Sequence, residues 1–173
     1  MSKFNYYGTT LMVLFFLLAT FSYSQKKLAS PRDSVSGRLG GALVCVNYGS
    51  PAVKGRVIWG RLVPYGQIWR AGANEATRIK FDKAISVQGK LLPAGEYALF
   101  AIPGEKEWTI IFNKSASQWG VFEYNDKEDA LRVQVIPESI NEKQEHLRFL
   151  VRNNKLVMEW DSLAVPLTIK PAP

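Results

Sequence analysis

The stretch "HLRFLVRNNKLVMEW", residues 146–160, carries the pattern that decides the fold. With Asn153 and Asn154 as a two-residue turn in left-handed backbone, the segments on either side become paired antiparallel strands. The register then sets Val151 opposite Leu156, Phe149 opposite Met158 and Leu147 opposite Trp160, all on one face. The other face carries Leu150 with Val157 and Arg148 with Glu159, an opposite-charge cross-strand pair. A slip of one residue would turn the apolar set to solvent, so the pattern specifies its own register.

The same alternation recurs outward from this hairpin. "TRIKF" (Thr77 to Phe81) and "LRVQV" (Leu131 to Val135) alternate apolar and polar residues, as half-buried strands do. "EYALFAI" (Glu96 to Ile102) and "EWTIIFN" (Glu107 to Asn113) are apolar on both faces, which predicts central strands, with "PGEKE" as the turn between them. "ALVCVNY", "ISVQG", "KLL", "VFEYN" and "PLTI" complete a set of roughly nine to eleven short strands, with turn signals at the spacing typical of a sandwich or barrel. "GRLGG" (Gly37 to Gly41) reads as a turn before the first of them. The expected fold is all-β: a single antiparallel β-sandwich, or a jelly-roll-like barrel, over residues 25–173. Cys45, the sole cysteine, lies in "ALVCVNY" and reads as a buried small hydrophobe.

Residues 1–24 precede that domain and read as a secretory signal peptide: Lys3, an apolar run from Leu11 to Phe21, then Ser22 and Ser24 at the small-residue positions of a cleavage site. The run falls short of the about 20 residues a spanning helix needs. The expected protein is therefore exported, periplasmic or secreted, and not membrane-spanning.

One long irregular excursion interrupts the strands, from Lys54 to Thr77. Its second half, "VPYGQIWRAGANEAT" (Val63 to Thr77), has neither strand nor helix period. Loops of that size in a single domain usually have a function. A short helical turn over Val57 to Leu62, with Ile58 and Leu62 inward, would shorten the irregular part. The formal charge of the chain is +7, and much of it gathers here. Between Pro51 and Phe81 stand Lys54, Arg56, Arg61, Arg70, Arg78 and Lys80 against Glu75 as the sole acid. Such a cluster is either a solvated basic face or the footprint of an anionic partner.

Most catalytic constellations find little to draw on. His146 is the only histidine, which leaves no multi-histidine metal site and little for a histidine-assisted nucleophile. No glycine-rich phosphate loop leads from a strand into a helix. No cofactor or metal is expected. Carboxylates remain: Glu75 with Glu123 or Asp126 could form the acid pair of a glycoside hydrolase. Binding draws on more residues. Tyr65 and Trp69 offer flat rings, Arg56 and Arg70 offer charge, Asn74 and Glu75 offer hydrogen bonds to hydroxyls, and Trp119 could join them from another loop. The chemistry of that set suits a glycan or an anionic envelope component. The competing reading makes the tryptophans core and joins Arg70 to Glu75 in an ion pair that locks the loop, and a structural or assembly protein of the cell envelope is the further alternative. Basic residues interleaved with aromatics also suit single-stranded nucleic acid, a partner that export argues against.

Several segments together resemble a known family: "SPRDSV" (Ser30 to Val35), "YGSPAVKGRVIWGRLVPYGQIWRAGANEATRI" (Tyr48 to Ile79), "LPAGEYALFAIPGEKEWTIIFNK" (Leu92 to Lys114) and "QWG" (Gln118 to Gly120). They are similar to the domain-of-unknown-function family 2911, exported proteins of Gram-negative bacteria without assigned activity. The resemblance spans nearly all of the mature chain, and Gly37 to Gly41 and Cys45 depart from the family's pattern. It implies export and a mainly β single domain. It transfers no catalytic residues.

Overall fold

In the computed structural model, which describes residues 29–173, Asn153 and Asn154 take φ of 49° and 57° and close the hairpin as the sequence predicts. The signal segment expected at 1–24 lies outside the described residues. The strands run in chain order as β1 (Arg32–Leu39), β2 (Ala42–Gly49), β3 (Thr77–Phe81), β4 (Ile85–Val87), β5 (Lys90–Leu92), β6 (Gly95–Ile102), β7 (Trp108–Asn113), β8 (Asp129–Val135), β9 (Glu138–Arg152) and β10 (Lys155–Pro171). They form a 6-stranded sheet, β1-β2-β3-β6-β7-β8, and a 4-stranded sheet, β5-β4-β10-β9, every pairing antiparallel. The sheets face each other as a sandwich and do not close, so the barrel alternative falls.

Alternation explains which side chains meet. Val44 and Val46 of β2, Ile79 and Phe81 of β3, Leu99 of β6, Trp108, Ile110 and Phe112 of β7, and Val133 and Val135 of β8 turn inward. They meet Phe149 of β9 and Leu156, Met158, Trp160, Leu167 and Ile169 of β10 in one continuous core. The outer faces of β6 and β7 are also buried. Ala98, Phe100 and Ile111 form a second cluster with Ala76, covered by Ile68, Val121 and Tyr124 from loops. Those two layers account for the strands that are apolar on both faces.

Within the hairpin, Leu156 faces Val151, Val157 faces Leu150, Met158 faces Phe149 and Glu159 faces Arg148, as predicted. Glu159 is buried and accepts hydrogen bonds from both Arg148 and Arg152. The expected pairing of Leu147 with Trp160 does not form. The register shifts after Glu159, and Asp161 next pairs with Gln144. The displaced part of β9 bonds the start of the excursion instead: Leu147 N–H donates to Pro51 O at 2.9 Å, Val53 N–H donates to Glu145 O at 2.8 Å, and His146 bridges Ala52. The bulge is thus the place where the irregular segment is stitched to the sheet.

Four other expectations need correction. "RDSVSGRL" forms β1, an edge strand whose side chains are mostly exposed and so lack an apolar signature, and Gly40 and Gly41 form the turn behind it. Val121 to Asn125 is no strand. Val121 and Tyr124 cap the outer cluster, and Asn125 caps a 3-10 turn over Asp126–Glu128. Cys45 points outward and is only half-buried, since β2 turns Val44 and Val46 to the core. Residues 57–62 form turns, not a helix: Ile58 is buried, but Leu62 is 45% exposed and Val63 takes the second inward place. No helix among the described residues is long and apolar enough to cross a membrane.

Candidate functional site

Residues 51–76 run across one end of the sandwich, held by bonds to several strands. Trp69 exchanges two backbone bonds with Ala101 of β6, at 2.7 and 2.8 Å, and Gly66 N–H donates to Pro103 O at 2.8 Å. Ala73 N–H donates to Gly49 O at 3.3 Å, at the end of β2. That approach needs glycine: a Cβ at Gly49 would stand 2.1 Å from Ala73 O. The turns in "RAGANEAT" fall on Ala71 and Asn74, with φ of 49° and 65°. Thr77 Oγ1 donates to Ala71 O at 2.9 Å and ties the turn to the start of β3.

This path carries Trp59 and Trp69 onto Trp108 and Trp160, one from each sheet. Trp69 stacks on Trp160, with centroids 5.9 Å apart and planes at 17°. Trp59 meets Trp69, Trp108 and Trp160 edge-on at 5.9, 4.9 and 5.7 Å. Trp69 Nε1 donates to Gly72 O at 3.2 Å, while the buried Nε1 atoms of Trp59, Trp108 and Trp160 have no partner among the described residues. The aromatic rings that read as a binding surface are, for Trp69, largely engaged with one another.

Two clefts flank this cluster and share Arg56. The first, about 310 Å³, is lined by Arg56, Val63, Trp69, Arg70, Asn74 and Trp160 among others. The second, about 450 Å³, is lined by Arg56, Trp59, Tyr65, Lys143, Asp161 and Ser162 among others. Arg56 is fixed where they meet: its Nε donates to Val53 O at 3.0 Å and its Nη2 to Ala52 O. It has no carboxylate partner among the described residues.

The structure therefore brings Arg56, Trp69, Arg70 and Asn74 to one cleft and places Tyr65 on the other. Asn74 Nδ2 donates to Ser30 O at 3.1 Å. Arg70 is half-buried, with its Nε unpartnered among the described residues, and burial lowers its guanidinium from the ordinary value. Its Nη1 reaches the turn at Gly120, where a Cβ would lie 3.6 Å away. Glu75 does not pair with Arg70. It forms an ion pair with Arg32, and its backbone bridges Trp119. Trp119 is 57% exposed and stands outside both cleft linings.

Neither cleft is lined by Glu75, Glu123 or Asp126. Glu123 instead accepts a hydrogen bond from Trp119 N–H at 3.2 Å, and Asp126 opens the 3-10 turn. Sequence reasoning missed Lys143, Asp161 and Ser162. They come from β9 and β10, and only the bulge beside Trp160 brings them to the excursion.

The protein is thus an open two-sheet β-sandwich with a tryptophan cluster under two polar clefts. The chain belongs to the family described as Protein of unknown function (DUF2911), whose model matches residues 30–169. No curated protein and no solved structure matches it.

Proposed function

We propose that this is an exported, non-enzymatic binding protein for a glycan or other anionic envelope component, held at the clefts that meet at Arg56. The observation that carries the reading is Arg56 itself. Two backbone carbonyls orient its guanidinium, and no carboxylate among the described residues neutralises it. A cation fixed in advance loses little freedom when an anion arrives, and guanidinium matches carboxylate and phosphate in shape. Arg70 adds positive charge in the first cleft, while Lys143 in the second is paired with Asp161. The hydrolase reading has less support, because its candidate acids lie away from both clefts.

Retention on immobilised polygalacturonate and on anionic vesicles, at low and raised salt, tests this. The wild-type chain is expected to be retained on one of them and released as salt screens the contact. Arg56→Gln is expected to weaken retention about tenfold. Salt-independent behaviour on both surfaces, or full retention by Arg56→Gln, would sink the proposal.

A further inference from the structure

We infer that the second cleft is a sugar subsite, seating one ring of an acidic polysaccharide whose carboxylate lies on Arg56 and whose hydroxyls bond Asp161 and Ser162. This rests on the binding reading above and names its ligand class.

Asp161 is the reason to choose a sugar over a simple anion. It is 9% exposed, yet its carboxylate is far from saturated. Ser162 Oγ donates to Oδ2 at 3.2 Å. Lys143 Nζ lies 3.3 Å from Oδ1, within ion-pair range but without hydrogen-bond alignment, on a side chain that is 77% exposed. An ionised carboxylate offers about four acceptor positions; Oδ1 is shut off from solvent beneath Lys143, which leaves Oδ2, beside Ser162, for a hydroxyl donor. A phosphate cluster would meet repulsion from this acid. A uronic-acid ring brings a carboxylate for Arg56 and hydroxyls for Asp161, and so satisfies both signs of charge in one cleft.

The remaining lining agrees. Trp59 is half-buried and Tyr65 is 40% exposed, giving apolar surface for the C–H face of a ring. Asp161 also holds φ of 50°, between the two register shifts of β10 against β9. Bulges of that kind re-aim a side chain, and here the re-aimed side chain lines the cleft.

The test is isothermal titration of the full chain with oligogalacturonate, with polyphosphate and with neutral dextran. Asp161→Asn suits it, because asparagine tolerates left-handed backbone and keeps the side-chain shape. Expected is an about tenfold loss of oligogalacturonate affinity, while polyphosphate affinity holds or rises as the repelling charge is removed. Tyr65→Ala, at an exposed ring, is expected to lose about threefold on the sugar and nothing on polyphosphate. Near-UV circular dichroism of the tryptophans checks that each variant is folded. If both variants bind oligogalacturonate as the wild type does, or if the wild type binds polyphosphate alone, the sugar subsite is wrong and the Arg56 reading survives. If the wild type binds neither charged probe nor anionic vesicles, or Arg56→Gln keeps its affinity for whichever of them the wild type binds, the underlying reading fails as well.

Discussion

The hairpin of β9 and β10 and the excursion over 51–76 both follow defined paths, but they are held by different means. At the hairpin tip each residue's place follows from its immediate neighbours: a two-asparagine turn, a period of two, and a salt-bridged pair opposite. The excursion has local turns over 53–63, but what fixes it on the sandwich comes from distant segments. Its backbone bonds reach Gly49, Ala101, Pro103 and Glu145, and its tryptophans lodge against Trp108 and Trp160. Local order makes a scaffold, and borrowed order lets a segment without periodicity present charge and polar groups at fixed positions.

Removing one ring from the excursion should cost the most. Trp69→Ala removes the ring that stacks on Trp160, touches Trp59 and bonds Gly72 O. Aromatic-to-alanine changes in cores cost about 3 to 5 kcal/mol, and the lower end suits a ring that keeps some exposure. Urea unfolding measures it. A loss below about 1 kcal/mol would mean that the excursion does not depend on its tryptophans.

That division also explains what could be read from the amino acids alone. The sandwich was legible because burial on one face of a strand writes itself as alternation, and Ile79 with Phe81, or Val133 with Val135, lie where that pattern puts them. The edge strand β1 was not, because an exposed edge imposes no apolar code on "RDSVSGRL". Of the candidate site, Arg56, Trp69, Arg70 and Asn74 were found through composition in one segment, and they do share a cleft. Lys143 and Asp161 were invisible. They reach the cleft through a bulge, and a bulge depends on contacts between segments distant in sequence. Glu75 was misjudged in its partner for the same reason, since Arg32 belongs to a strand the pattern did not reveal.

The hairpin tip should respond more mildly. Asn154→Ala places a Cβ without a compensating polar group at φ of 57°. Left-handed backbone costs an ordinary residue about 1 kcal/mol, so unfolding free energy is expected to fall by about that amount. Asn154→Gly is expected to restore it. Because the turn is far from the excursion in its bonding, oligogalacturonate affinity is expected to stay unchanged in both variants. A change in affinity would show that the two regions are coupled through β10.

The smallest expected effect concerns Trp119, the tryptophan that composition grouped with Trp69. Its ring is 57% exposed, and what holds its loop is backbone: the bridge to Glu75 and the Glu123 carboxylate on its N–H. Trp119→Ala therefore keeps every one of those bonds and removes only surface. Changes of that kind stay within about 0.5 kcal/mol. Set beside Trp69→Ala, it separates a tryptophan that builds the site from one that stands outside it. A Trp119→Ala loss of more than about 2 kcal/mol would mean that the ring, not the backbone bridge, secures the loop across Glu75. An unchanged stability with weakened oligogalacturonate binding would instead extend the proposed site from Arg56 past Arg70 to the Gly120 turn, where Arg70 Nη1 already reaches.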